Sequence, residues 1–105
     1  MARTYRLSYQ AQSDLREISG FIASDSPQSA RRVLATLRAT FRQLADQPEV
    51  GMQRSDLRPG LRLFVPPRPA HKYLIFFYRI DRGIEVSTII HGARDWPALF
   101  EGGER

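Results

Sequence analysis

The chain has 105 residues, a length typical of one domain, and its 42% hydrophobic residues can bury a single modest core. It contains no cysteine, which excludes disulfides and thiol chemistry, and no apolar run is long enough to cross a membrane. Because the first residues also lack the apolar region of a signal peptide, we expect a soluble, cytoplasmic protein with one domain over residues 1–105.

The net charge is +5, and Lys72 is the only lysine, so nearly all of the positive charge is arginine. Arginine suits bidentate recognition of carboxylate or phosphate groups. An acidic protein and a nucleic acid therefore both fit as partners, and charge alone does not choose between them.

The N-terminal third predicts a short strand followed by two helices. Residues 4–8 (TYRLS) fit a strand, and Ser8 can then cap a helix with its side-chain oxygen. Ser26 and Pro27 mark a second helix start, because a capping serine precedes a proline at the first helical position. Each helix has one apolar stripe, formed by Ala11, Leu15, Ile18, Phe21 and Ile22 in the first and by Ala30, Val33, Leu34, Leu37, Phe41, Leu44 and Ala45 in the second. The short SDS link between them predicts an antiparallel helical hairpin.

Four arginines lie off the apolar stripe of the second helix: Arg31, Arg32, Arg38 and Arg42. One interpretation is an ordinary solvated face on a helix that packs against the core. The other is a docking surface for the acidic groups of a partner.

The second helix should end at Pro48, since proline cannot continue it. Residues 49–60 are a polar connector with turn signals, and residues 61–65 (LRLFV) alternate as a strand. The following segment, residues 66–70 (PPRPA), is predicted to be a loop, because proline lacks the N–H group that a strand ladder needs.

Residues 73–95 organise the rest of the chain as a β-hairpin. We predict a three-residue turn at residues 81–83, with Gly83 in the left-handed conformation. The register then pairs opposite charges and apolar groups across the strands. One face carries the pairs Ile80–Ile84, Tyr78–Val86, Phe76–Thr88 and Leu74–Ile90; the other carries Arg79–Glu85, Phe77–Ser87, Ile75–Ile89 and Tyr73–His91.

The second of these faces is still apolar, although a hairpin buried on one side should alternate with polar residues. We therefore expect the C-terminal segment, a second copy of the chain or a partner protein to cover it. The alternative is a central strand with two buried faces and no partner.

The order of elements predicts an α+β fold: β-α-α-β-β-β, an antiparallel sheet with an N-terminal helical hairpin packed on one face. Asp95 can cap one further helical turn over residues 95–100, and residues 101–105 form a frayed tail.

Chemistry-bearing residues gather at the end of the hairpin. His91, Arg94 and Asp95 could meet Tyr73, Arg62 and Arg79 on the sheet. One interpretation is structural, with Arg94 and Asp95 forming an ion pair and a cap. The other is an arginine-based site for RNA phosphate or for a partner carboxylate. No metal site is predicted, because His71 and His91 lie on different segments, and no glycine-rich phosphate loop is present.

Five blocks resemble one known family in order and spacing: LSYQAQSDLREISGFIASDSPQSA, LADQPEVG, RSDLRPGLR, YLIFFYRI and IIHGARD. Over Tyr5 to about Phe100 the chain resembles the RelE/ParE toxin superfamily, specifically its ParE branch. The resemblance implies the toxin of a type II toxin–antitoxin module, neutralised by a small antitoxin encoded beside it. ParE-like toxins inhibit DNA gyrase, whereas RelE-like relatives cleave mRNA on the ribosome.

Individual residues favour the ParE branch. Arg94 lies where RelE-type enzymes keep an arginine, but their C-terminal tyrosine falls at Phe100, which has no hydroxyl for proton transfer. Their central-strand arginine falls at about Tyr73, and the connector over residues 49–60 lacks their lysines. A phosphoryl-transfer transition state would therefore be poorly stabilised.

The resemblance leads to definite expectations. The partners are a ParD-like antitoxin, which is a ribbon-helix-helix DNA-binding protein, and gyrase, with DNA contacted only through the antitoxin and no cofactor. We expect antitoxin contacts at Arg31, Arg38, Arg42, Ile75, Phe77 and Ile89, and target contacts at Tyr73, His91, Arg94 and Phe100. If the protein is instead a ribonuclease, the catalytic residues are Arg62, Arg79 and Arg94. A third hypothesis is an inactive module that only binds its partner.

Overall fold

A computed structural model describes residues 3–94 and 96–100. In chain order the elements are β1 (Thr4–Leu7), α1 (Tyr9–Ala23), α2 (Pro27–Asp46), a 3-10 turn (Pro48–Val50), β2 (Met52–Gln53), β3 (Arg62–Phe64), β4 (Tyr73–Ile80), β5 (Gly83–His91) and a C-terminal 3-10 turn (Trp96–Phe100). No helix in these ranges is long and apolar enough to span a membrane.

Both helices begin where their capping residues predict. The Ser8 hydroxyl oxygen accepts the Ala11 N–H at 3.0 Å, and the Ser26 hydroxyl oxygen accepts the Ser29 N–H at 3.1 Å. Such a cap contributes about 1 kcal/mol to stability. Pro27 takes the first helical position of α2, as expected.

The five strands form one sheet in the order β1-β5-β4-β3-β2. The α+β class and the helical hairpin are confirmed, but the sheet is mixed rather than antiparallel, because β1 pairs with β5 in parallel. The short strand β2 lies within the predicted connector and pairs with β3.

The helical hairpin packs on the sheet face that the sequence predicted to be open. Ile75, Phe77 and Ile89 lie beneath it, with exposed fractions of 0%, 0% and 3%. The expectation that a second copy, a partner or the C-terminal segment covers this face is therefore wrong. The chain's own helices cover it, and most of the helical stripe residues share this core.

The opposite face of the sheet carries a second, smaller core. Leu61, Leu63, Phe76 and Ile90 are buried there together with Phe100. The Phe76 ring lies 5.0 Å from that of Phe100 and 5.5 Å from that of Trp96. The C-terminal turn thus covers this second face, and the central strand β4 is buried on both sides.

The predicted hairpin register holds only in the half far from the turn. Phe76–Thr88, Ile75–Ile89, Leu74–Ile90 and Tyr73–His91 pair as expected. A bulge follows at Ser87, so that Phe77 faces Val86 and Ile80 faces Gly83 across a two-residue turn. The other four predicted pairs and the three-residue turn are wrong. The bulge turns Ile84 and Val86 toward the helices, where both are fully buried.

Strand β1 explains why this register is kept. Gly83 has φ +145°, and a Cβ atom there would lie 1.7 Å from the Thr4 carbonyl oxygen. Glycine at this position lets β1 lie directly against β5. Arg82 in the turn also has positive φ, at 67°, a conformation that costs a non-glycine residue about 1 kcal/mol or more.

One predicted core residue is exposed. Phe21 was placed in the stripe of α1, but 78% of its surface is accessible. It lies about 100° around the helix from Ile22, at the margin of the apolar stripe, and is not part of the core.

Candidate functional site

Strand β5 has an edge without a neighbouring strand. β1 ends at Leu7, opposite Val86, and the chain then turns into α1. Among the described residues no strand pairs with this edge of β5 from Ser87 to His91. Helix α1 lies beside it instead, and two depressions open there.

The first depression, here called the aromatic groove, is lined by Asp14, Glu17, Ile18, Phe21, Tyr73, Ile89, His91 and Arg94. The second, here called the edge cavity, is lined by Gln10, Asp14, Arg58, Ser87, Thr88, Ile90, Arg94, Leu99 and Phe100. Because both share Asp14 and Arg94, they meet along the free edge of β5.

Asp14 takes the place of a neighbouring strand at this edge. Its carboxylate accepts the Thr88 hydroxyl at 2.5 Å, the Ile89 N–H at 2.9 Å and the Gln10 amide N–H at 2.9 Å. The side chain is buried, although the Asp14 carboxylate has no cation partner among the described residues. A buried carboxylate is held by such donors in place of water.

Ser8 completes this arrangement at the bulge. Its hydroxyl donates to the Ser87 carbonyl at 2.6 Å, and its N–H donates to the Val86 carbonyl at 3.0 Å. Ser8 is thus both the cap of α1 and the link between that helix and the bulged strand.

Sequence reasoning missed the role of Asp14. A signal was available, because Asp14 lies three residues after Ala11 and four before Ile18 on the apolar side of α1. A carboxylate at such a position needs hydrogen-bond donors from another element. The sequence does not show which strand supplies them.

Tyr73 and His91 form the aromatic wall of the groove. Their rings meet edge to face with centroids 5.4 Å apart. Burial of Tyr73 raises the pKa of its phenol, because the charged form is disfavoured away from water. The His91 Nδ1 accepts the Ala93 N–H at 3.0 Å, so the proton of the neutral ring is on Nε2. Phe21 adds an exposed apolar rim.

With this geometry in place, comparison with known proteins identifies the family. Residues 5–96 match the family described as "ParE toxin of type II toxin-antitoxin system, parDE". The chain belongs to this ParE toxin family. It is 30% identical over 95 residues to "Putative toxin Y4kP" of Sinorhizobium fredii (strain NBRC 101917 / NGR234), which covers 90% of this chain and 94% of that relative.

The fold has a counterpart among solved structures. A chain of the "Chromosomal ParDE TA system from P. aeruginosa" superposes with a TM-score of 0.68 at 18% identity. The match covers 85% of the present chain and 95% of the other. At this identity the similarity establishes a shared fold, while the family match identifies this ParE-family protein as a type II toxin.

The structure of this toxin brings together three of the four predicted target-contact residues. Tyr73, His91 and Arg94 line the aromatic groove. Phe100 lies instead in the edge cavity, where its ring packs against Phe76 and the Arg58 guanidinium. Asp95 and its predicted cap fall outside the described residues.

The three arginines expected in a ribonuclease do not form one cluster. Arg62 donates to the Gly51 carbonyl at 3.0 Å, and Arg79 faces Glu49 at 3.9 Å. Arg94 lines the same groove as Tyr73, which is six residues and thus about 20 Å along β4 from Arg79. In the described residues no group of three His, Asp or Glu side chains forms a metal site.

The predicted antitoxin contacts separate into two groups. Arg31, Arg38 and Arg42 are exposed on α2, spaced seven and four residues apart, so they share one side of the helix. Their side chains have no ion-pair or hydrogen-bond partner within the described ranges. Ile75, Phe77 and Ile89 are buried beneath the helices and cannot contact a partner in this conformation.

Proposed function

We propose that this toxin inhibits DNA gyrase by binding it, without a catalytic step of its own, and that it acts in the cytoplasm as part of a plasmid-stabilising module. The observation that carries the proposal is that the residues expected to catalyse RNA cleavage do not meet in one site. Arg62 contacts Gly51 and Arg79 faces Glu49, and neither lines the groove that contains Arg94. The position of the expected tyrosine is the buried Phe100. Phosphoryl transfer needs charges converging on the reacting group, whereas binding needs only a complementary surface.

The target surface we propose is the aromatic groove. The groove has an aromatic wall formed by Tyr73 and His91, and it carries the guanidinium group of Arg94. The exposed Phe21 forms its rim. Such a mixture of aromatic side chains and arginine is typical of residues that dominate protein–protein binding energy. Phe100, which was also expected to contact the target, would need to leave the second core to do so.

The neutralising partner we propose is a ParD-like ribbon-helix-helix antitoxin encoded beside the toxin, which carries the DNA contacts of the complex. Its acidic segment would bind the α2 arginines. Arg31 and Arg42 are separated by about 16 Å along the helix, and Arg38 and Arg42 form a like-charge pair that costs a helix roughly 0.2–0.5 kcal/mol. An acidic partner removes that repulsion.

The experiment that tests the target places two assays side by side with purified toxin. One measures DNA supercoiling by gyrase, and the other measures translation-coupled cleavage of mRNA. We expect supercoiling to be inhibited and the message to stay intact. Cleaved message with normal supercoiling would establish a ribonuclease. If both assays are silent and producing cells grow normally, the protein is a module that only binds its partner.

A variant pair tests the groove directly. Arg94→Met removes an exposed guanidinium and should weaken gyrase inhibition, while Arg3→Met removes an exposed arginine near the hairpin turn and should leave it unchanged. Equal inhibition by both variants would exclude Arg94 from the target surface.

A further inference from the structure

Two guanidinium groups that line the edge cavity have no acceptor among the described residues. The Arg58 Nε is buried and makes no hydrogen bond, and the Arg94 guanidinium has no ion-pair or hydrogen-bond partner in the described part of the chain. Neighbouring arginines of the same connector and strand are satisfied. Arg54 binds Asp56 through two contacts of 2.9 and 2.8 Å, and Arg62 donates to a carbonyl. The arrangement at Arg58 is therefore local to the cavity.

Leaving a buried donor without an acceptor is unfavourable. An unsatisfied buried polar group destabilises the fold, and it does so more strongly when it is charged. The Arg58 guanidinium carbon lies 5.3 Å from the centre of the Phe100 ring, and this contact partly compensates the charge but accepts no N–H. An oxyanion in the cavity would satisfy Arg58 and Arg94 together. The Ser87 hydroxyl, which also lines the cavity, is a further donor.

The charges of the side chains that line the edge cavity favour a ligand with a single negative charge. Arg58 and Arg94 contribute two positive charges, and Asp14 contributes one negative charge that no cation neutralises within the described residues. The resulting excess of one positive charge matches a carboxylate. Ile90 and Leu99 on the same lining provide apolar contact for the residues beside it.

The packing of the aromatic rings in and beside the edge cavity favours a peptide over a nucleic acid as its ligand. Binding of a single strand normally requires an open aromatic face on which a base can stack. The ring of Phe100 is packed against Phe76 and Arg58, and that of Trp96 against Phe76 and Arg54. Both rings are already used in these contacts.

The free edge of β5 offers little main-chain pairing at this point, because Asp14 already accepts the Ile89 N–H. Recognition must therefore depend on side chains. We infer that the edge cavity is a carboxylate-binding site that takes one Asp or Glu side chain of the antitoxin. This inference rests on the proposed function, which supplies the antitoxin as the partner.

The experiment measures the affinity of the toxin for the protein encoded beside it. Arg58→Met and Arg94→Met keep an apolar side chain of similar length but remove the charge, and Arg3→Met is the matched control outside the cavity. We expect the two cavity variants to bind about ten- to a hundred-fold more weakly, because hydrogen bonds to charged groups contribute roughly 1.5–3 kcal/mol. The control should bind as the wild type does.

The partner residue is found by neutralising the acidic residues of the antitoxin one at a time, as Asp→Asn or Glu→Gln. One of these changes should reproduce the loss, and combining it with Arg94→Met should cause little additional loss. Arg94 is exposed, so this variant tests the site even if Arg58→Met does not fold.

The outcomes distinguish an error in the carboxylate site from an error in the proposed antitoxin partner. If the wild-type toxin binds but both cavity variants bind equally well, the carboxylate site is wrong and the proposed partner stands. If the wild type does not bind the neighbouring protein, both are wrong.

A direct probe is the Arg58 Nε–H resonance of the free toxin, which should shift saturably with sodium acetate and not with sodium chloride. A stronger response to a single-stranded RNA oligonucleotide than to acetate would overturn the assignment to a peptide carboxylate.

Discussion

Replacing Asp14 should destabilise the fold far more than replacing the exposed acidic residue beside it in the aromatic groove, Glu17. Its carboxylate holds the free edge of β5 through the Thr88 hydroxyl, the Ile89 N–H and the Gln10 amide. Asp14→Ala leaves the Ile89 N–H buried without an acceptor, which costs about 1–3 kcal/mol. Thr88 and Gln10 are less buried and can recover water, so their contribution is smaller. We expect a total loss of about 2–4 kcal/mol.

For a domain of this size 1 kcal/mol corresponds to roughly 4–8 °C in the melting temperature. Asp14→Ala should therefore melt at least about 8 °C below the wild type. Asp14→Asn keeps one acceptor oxygen, so its melting temperature should lie between those of the wild type and Asp14→Ala. The matched control is Glu17→Ala in the same groove, since Glu17 is exposed and should change stability by less than about 0.5 kcal/mol.

Hydrogen exchange tests the proposed mechanism as well as the magnitude. The Ile89 amide should be protected in the wild type and should exchange faster in Asp14→Ala, while amides of β4 keep their relative protection. A melting temperature within 2 °C of the wild type, or an unchanged Ile89 exchange rate relative to the core, would refute the claim that Asp14 replaces a strand here.

The remaining predictions concern the turn, a buried phenol and the arginine surface. Gly83→Ala should prevent β1 from pairing and should cost several kcal/mol of stability, because the new Cβ would lie 1.7 Å from a backbone oxygen. Gly20→Ala is the control, because a Cβ there meets no atom within 4 Å. In denaturant unfolding it should stabilise α1 by up to about 1 kcal/mol. The contribution of Tyr73 to stability should be fully present below about pH 10 and should be lost as the pH rises through its raised folded-state pKa, because the phenol ionises first in the unfolded chain. Tyr73→Phe should reduce this alkaline loss of stability in a pH series of melting curves. The double variant Arg38→Glu, Arg42→Glu should weaken antitoxin binding at least tenfold in calorimetry, and affinity equal to the wild type would exclude α2 from that interface.

The sequence by itself determined the helices and half of the central hairpin. Ser8, Ser26 and Pro27 act on the backbone groups next to them, so their effect does not depend on the rest of the fold. The pairs from Phe76–Thr88 to Tyr73–His91 agree with the prediction because the extra residue of the bulge offsets the one residue by which the predicted turn is too long. Local periodicity shows that β4 is apolar on both sides, but it does not show which element covers each side.

Tertiary structure decided the features that depend on residues far apart in the chain. Parallel pairing of β1 places Thr4 against Gly83, and the bulge at Ser87 reverses the faces of Ile84 and Val86. The same short β1 leaves the end of β5 open, so that Asp14 can bind Ile89 across 75 residues of sequence. These contacts form only when distant segments pack together, because neither hydrophobic spacing nor charge within one segment encodes the neighbour it will meet.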